Sequence, residues 1–203
     1  MKRTFLIFAG MCVILATVLL LNGCLTLEQT LRIQEDGSML ASYVYTYQEA
    51  NEPVIKAALI TASKAAKMDG TPVDFLDEAG IAKFCSEKGI ELRQYRKNVK
   101  NGKSTVQIIT LVRRNSPEKL FALGGFVQEN KELKLLLPEL TWPEDICDRL
   151  IRLCPDFAIS LTVVAPDKIK DTNGKILRPD TVMWVFTPKE GLFAPAQELF
   201  VKW

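Results

Sequence analysis

From Thr4 to Leu21 the chain carries no charged residue, and this apolar run closes three positions before a cysteine. It is led by Phe5 to Phe8, Val13 to Leu15 and Val18 to Leu21, and Lys2 and Arg3 precede it. A basic start, an apolar stretch and a small-residue end, in that order, form an export signal. The end itself, Leu21-Asn22-Gly23-Cys24, resembles a lipobox, in which the cysteine is acylated and the chain cut ahead of it. The demand for cysteine is chemical: sulfur takes a diacylglycerol as a thioether, and the freed amine can take a further palmitate-class chain. Two or three such chains hold a protein on a bilayer, whereas one does so only marginally. The competing assignment is an uncleaved membrane anchor, since the run is near the roughly 20 residues needed to span. Both assignments keep Lys2 and Arg3 in the cytoplasm and put the rest outside it. The expected organisation is a signal peptide over 1–23 and one extracytoplasmic domain over 24–203, membrane-anchored at the cell surface or in the periplasm.

About 180 residues then remain, enough for one domain with a real core. Without Lys2 and Arg3, basic and acidic residues balance at 24 each, which argues against nucleic acid as a partner. The absence of histidine removes Ser-His-Asp and Cys-His catalysis and any His-ligated metal site. Gly124-Gly125 lacks the spacing and the following Lys-Ser/Thr of a phosphate loop. No cofactor is expected, and the chain reads as no enzyme. Glu144, Asp145 and Asp148 fall on or near one expected helix, where the helix dipole favours carboxylates at the first turn. Cys147 and Cys154 are seven residues apart on that helix, about 10 Å along its axis, too far for a disulfide. Buried thiols are the expectation, with a pairing of Cys85 to either one open in an oxidising compartment.

Leu25, Leu27, Leu31 and Ile33 alternate with Thr26, Glu28, Thr30 and Arg32, the period of a half-buried strand. Asp36-Gly37 supplies a turn, and Met39 to Tyr47 reads as the returning strand. A helix is expected from Asn51-Pro53 to about Met68, and a second from about Phe75 to Lys88, closed by Gly89-Ile90 in a Schellman ending. Ile90 to Val99 and Ser104 to Arg114 form a hairpin around Asn101-Gly102, and Phe126 to Leu137 a smaller one turning near Asn130-Lys131. Short helices are expected from Ser116 toward Leu123 and from Thr141 to about Leu153, the latter opened by a Thr141–Glu144 capping box. Phe157 to Val164, Lys175 to Leu177, Val182 to Thr187 and Glu198 to Val201 complete the strands. Helices interrupting antiparallel hairpins predict an α+β fold: a curved antiparallel sheet of hairpins packed against about three to four helices.

Two stretches carry a family resemblance. One is Gly23-Cys24-Leu25 leading through a strand to Asp36-Gly37 and a second strand. The other is Leu161 to Pro166, Asn173-Gly174-Lys175 and Thr181 to Phe186 with its Trp184. Together they resemble the LppM-like lipoproteins, at the two ends of the exported part. The resemblance implies an exported lipoprotein domain with an antiparallel sheet and helices, and a lipid-binding role proposed for some members. The chain departs from members with a C-terminal membrane segment, having no second apolar span.

The candidate binding residues are Arg93, Arg96, Lys97, Lys100 and Lys103, a basic window without an acidic residue. Strict alternation sets Arg93, Tyr95 and Lys97 on one strand face, opposite Arg96. Beside a membrane such a cluster attracts anionic headgroups, at about 1 kcal/mol per basic residue. The plainer reading is an edge hairpin kept from pairing by its charges. Trp142, Trp184, Trp203 and the stripe Tyr43, Tyr45, Tyr47 could line an amphiphile pocket, but Trp184, between Val182 and Phe186 at strand spacing, reads first as core. The expected function is a lipoprotein held by membrane lipid at Cys24 and binding an anionic lipid or other amphiphile. The alternative is a structural lipoprotein with an envelope protein as partner.

Overall fold

The computed structural model describes residues 26–53, 56, 76–113, 126–137, 158–187 and 197–203. The chain enters through β1 (Thr26–Ile33) and returns through β2 (Met39–Gln48). Their turn is fixed locally. Gly37 takes φ 81°, and the Asp36 carboxylate accepts from the Ser38 backbone N–H at 2.8 Å and from the Ser38 hydroxyl at 2.6 Å. Those bonds, the hydroxyl's first, hold the Asp36 carboxyl below its ordinary pKa.

After a 3-10 turn at Glu49–Asn51 comes helix α1 (Glu78–Lys88). Asp77 caps its start by accepting from the Gly80 N–H at 2.9 Å. Gly89, at φ 70°, ends it, and the Ile90 N–H reaches back to the Cys85 carbonyl at 2.8 Å. That six-to-one bond is the expected Schellman closure. Ile81, Phe84 and Cys85 bury the inner side of α1 in the core.

The remaining strands are β3 (Glu91–Lys100), β4 (Lys103–Val112), β5 (Phe126–Glu129), β6 (Glu132–Leu137), β7 (Ala158–Val164), β8 (Asp171–Thr172), β9 (Lys175–Arg178), β10 (Thr181–Phe186) and β11 (Gln197–Lys202). They form a seven-stranded sheet, β3-β4-β2-β1-β7-β10-β9, and a four-stranded sheet, β5-β6-β11-β8.

This corrects the expected architecture. The described residues are mostly strand, in two sheets rather than one, with α1 as their one complete α-helix. The helices expected to about residue 68, over 116–123 and over 141–153 lie outside the described residues, apart from helical Glu52, Pro53 and Lys56. Nor is the large sheet wholly antiparallel, because β1 and β7 run parallel, Thr26 beside Ala158 through Arg32 beside Val164. Alternation reveals that β1 buries one face; it does not reveal which strand lies on its second edge.

The large sheet has one buried face. Leu31, Ile33, Met39, Ala41, Tyr43, Tyr45, Tyr47, Val106, Ile108, Leu161, Val163, Val182, Trp184 and Phe186 all belong to a single core cluster. Burying a Leu, Val or Phe side chain here contributes about 1.5–3 kcal/mol. The opposite, outer face carries residues such as Thr30, Ser42, Gln107 and Thr162, each half-buried.

Asn173 clamps the two sheets together. Its carbonyl oxygen accepts from Trp184 Nε1 and from the Phe200 N–H, both at 3.1 Å, and its amide nitrogen donates to the Glu198 carbonyl at 2.7 Å. Trp184 lies on the large sheet and Phe200 on the small one. Gly174 lets the indole come this close, since a Cβ there would sit 2.5 Å from Trp184 Cε2 and from Val182 Cγ2.

Candidate functional site

The basic hairpin forms as expected, and its geometry divides the five cations. Asn101 and Gly102 take φ 54° and 71°, the two positive values of the tight hairpin turn that matches strand twist. On β4, Ser104, Val106, Ile108, Thr110 and Val112 face the core. Cross-strand partners share a face, so Val99, Lys97, Tyr95 and Leu92, which oppose Ser104, Val106, Ile108 and Thr110, lie on the core side.

A register shift between Leu92 and Gln94 makes Arg93 the extra residue of a bulge. This breaks the strict alternation that would set Arg93 beside Tyr95 and Lys97. Arg93 instead pairs with Glu91 at 3.1 Å. Lys97 is engaged too, its Nζ 2.6 Å from Glu52 Oε2. Tyr47 donates its hydroxyl to the same carboxylate at 3.1 Å. Partial burial works against ionisation of Glu52, but the bonds from Lys97 and Tyr47 and the charges of Lys97 and Lys56 win and hold its pKa below the ordinary glutamate value. Burial, and then the Glu52 charge, pushes the Tyr47 phenol above its ordinary value.

Arg96, Lys100 and Lys103 are therefore the cations of the cluster without a carboxylate partner among the described residues. All three stand on the outer face: Arg96 opposes Gln107, and Lys100 opposes Lys103. Sequence alternation set Arg96 opposite Tyr95 and Lys97, where the register also puts it; the bulge takes Arg93 alone out of that pattern.

Their position along the sheet follows from register. Thr26, Thr46, Thr105 and Asn98 form one cross-sheet row, and Gln48, Lys103 and Lys100 lie two residues further out. The hairpin tip therefore projects from the end of the sheet at which β1 begins. Three strand spacings, about 14 Å, separate β1 from β3. Around the tip the outer face is made of threonine, asparagine and glutamine, with Glu28 as an acidic residue on the same face in the Arg96 row.

The opposite end of the sheet holds two open clefts. One, about 480 Å³, is lined by Gln34, Glu35, Gln128, Asp167 and Trp203, with Lys131 3.9 Å from Asp167 across it. The other, also about 480 Å³, is lined by Asp36, Ser38, Glu91, Arg93, Leu111 and Arg113. Both are polar and shallow. No cluster of three or more potential metal ligands occurs among the described residues.

One residue escaped the sequence reading. Gln29 interrupts the apolar series Leu27, Leu31, Ile33 and is only 1% exposed. Among the described residues neither Gln29 Nε2 nor Oε1 has a hydrogen-bond partner, and the Thr110 hydroxyl is also unpartnered. A buried amide left unpaired costs about 1–3 kcal/mol. The signal was visible in the sequence as the single polar residue on the inward register of β1.

Trp184 is a core residue, as expected, and Trp203, Tyr43, Tyr45 and Tyr47 belong to the same core cluster; burial raises the Tyr45 phenol above its ordinary pKa. Cys85 is buried. Cys24, Trp142, Glu144, Asp145, Cys147, Asp148 and Cys154 lie outside the described residues.

No protein-family model matches the chain, and no curated protein matches it. Among solved structures it is similar to the NMR structure of the folded domain of LppM from Mycobacterium tuberculosis, at 14% identity and a TM-score of 0.46, over 87% of each chain. That structure bears the name of the family which the Cys24 segment, Asp36-Gly37 and the Trp184 strand resemble.

Proposed function

We propose that the chain is a lipoprotein anchored through Cys24 on the outer side of a membrane, with a non-catalytic domain that binds a lipid or other amphiphile there. One observation supports this above the rest. The unpartnered cations Lys100 and Lys103 occupy the same end of the sheet as Thr26, two residues from Cys24. Two residues of chain reach about 7 Å, so an acylated Cys24 draws that end of the sheet to the headgroups. Lys100 and Lys103 then meet the bilayer surface, each adding about 1 kcal/mol on an anionic membrane.

The test uses the full chain extracted from its native membrane in a mild detergent and weighed intact. Its N-terminus should be an acylated Cys24, lipid should accompany it, and added phosphatidylglycerol should bind in preference to phosphatidylcholine. The double variant Lys100→Glu, Lys103→Glu should lose that preference. An unacylated chain that retains no lipid and binds neither phospholipid overturns the reading.

A second reading has its own observation. Edge strand β9 exposes Ile176 and Leu177, at 54% and 47%, and exposed apolar residues on a sheet edge suit pairing with another protein. An envelope protein crosslinked specifically at Ile176, with no lipid retained, favours this interaction role.

A further inference from the structure

β1 is the middle strand of the seven-stranded sheet, and Gln29 stands near its midpoint, between Tyr43 on β2 and Leu161 on β7. The most central position of the buried face is thus an amide with no partner for either end. Close by, Ala41 pairs with Leu31 on one side and Thr110 on the other. Ala41 leaves a methyl where its neighbours in β2 carry Met39 and Tyr43, and the Thr110 hydroxyl beside it is unpartnered as well. One unsatisfied group, Thr110, thus adjoins the one small inward side chain of this stretch of β2, and the other, Gln29, lies diagonally across from it.

Such a group on an otherwise apolar face marks a place where hydrogen bonds have yet to be made. An amide offers two donors and an acceptor, and a hydroxyl offers one donor and two lone pairs. Both are uncharged. The charged side chain on this face, Lys97, is at the sheet edge and already joined to Glu52. A phosphate brought to Gln29 would lose its hydration without gaining a counter-charge, whereas an ester, amide or hydroxyl would lose little and gain partners.

We infer that Gln29, with Thr110 two strands away across Ala41, recognises the uncharged polar groups of a neutral amphiphile of the acylglycerol kind, whose apolar part lies along the buried face of the large sheet. This rests on the amphiphile-binding function proposed above and specifies its ligand. The basic hairpin meets the anionic surface; Gln29 selects the neutral cargo.

The test titrates two probes with identical acyl chains, 1,2-dioctanoylglycerol and dioctanoyl phosphatidic acid, onto the full chain in detergent and reads bound ligand by native mass spectrometry. The intact protein should bind the diacylglycerol and bind the phosphatidic acid more weakly. Gln29→Leu should weaken diacylglycerol binding about tenfold, the loss of roughly one well-made buried hydrogen bond, while raising the thermal midpoint of the ligand-free protein. Should Gln29→Leu fail to fold, Gln29→Met serves for the same comparison. A folded variant that binds diacylglycerol as the native residue does overturns this inference and leaves the amphiphile reading standing. Equal binding of both probes by the intact protein overturns the assignment to an uncharged group. An intact protein that binds neither probe and retains no lipid overturns both the inference and the function on which it rests.

Discussion

Asn173 makes three hydrogen bonds with one side chain, and each goes to a different place: an indole, a backbone amide and a backbone carbonyl. Sequence inspection assigned Asn173-Gly174 to a turn, which it is, but the dipeptide also decides how Trp184 is held. Gly174→Ala should destabilise the protein by about 1–3 kcal/mol through overpacking, because the new methyl meets Val182 and the indole at 2.5 Å. Denaturant unfolding measures the loss. Asn173→Ala leaves Trp184 Nε1 and the Phe200 N–H without this acceptor, and should cost about 1–3 kcal/mol with a red shift of tryptophan emission. A shift without loss of stability would show the clamp to be ornamental.

The same scale holds a pH prediction. The folded-state pKa of Glu52 is lowered, so its contribution is complete above the ordinary glutamate value and is lost as pH falls through the lowered one. Acid titration of Glu52→Gln should therefore show a shallower loss of stability below the ordinary glutamate range than the native residue does. Lys97→Met should flatten the same limb, since it removes the partner that keeps Glu52 ionised.

At the level of elements, turns were the most legible feature, because they are written in residues with few alternatives. Asp36-Gly37, Gly89-Ile90, Asn101-Gly102 and Asn130-Lys131 each end or join elements as their chemistry requires. Gly102→Val forces a β-branched residue to φ 71° and should weaken the β3–β4 hairpin by more than about 1 kcal/mol. Hydrogen exchange at Lys100 and Lys103 would accelerate ahead of exchange at Leu31. What stayed hidden has a common cause. The bulge at Arg93 adds one residue with no compositional mark, so alternation carried straight through it and misplaced Arg93. The β1–β7 pairing joins segments that share no local signal. Gln29 was legible only as an exception, a polar residue in an apolar series, and an exception shows its meaning once burial is known.

For the molecule as a whole, register orients the sheet relative to Thr26, where β1 begins. The hairpin tip and the start of β1 share one end, and the two polar clefts share the other. On an anchored chain the clefts would open away from the bilayer, and the cations would press toward it. Raising salt should weaken contact of the tip with anionic vesicles while leaving acyl insertion intact, and a fluorophore at position 101 reporting headgroup proximity would register the difference.

The parallel pairing of β1 with β7 also sets an order of events. Thr26 must wait for Ala158, about 130 residues later, before the middle strand has both neighbours. Contacts so distant along a chain slow folding, because the intervening loop must close before they form. An exported chain delivers β1 first, with its second edge open until the later segments arrive. A lipid already fixed beside β1 would hold that unfinished edge at the membrane and apart from the edges of other newly exported chains. If Cys24 carries the lipid proposed above, that lipid would serve as a guard during assembly until β7 arrives.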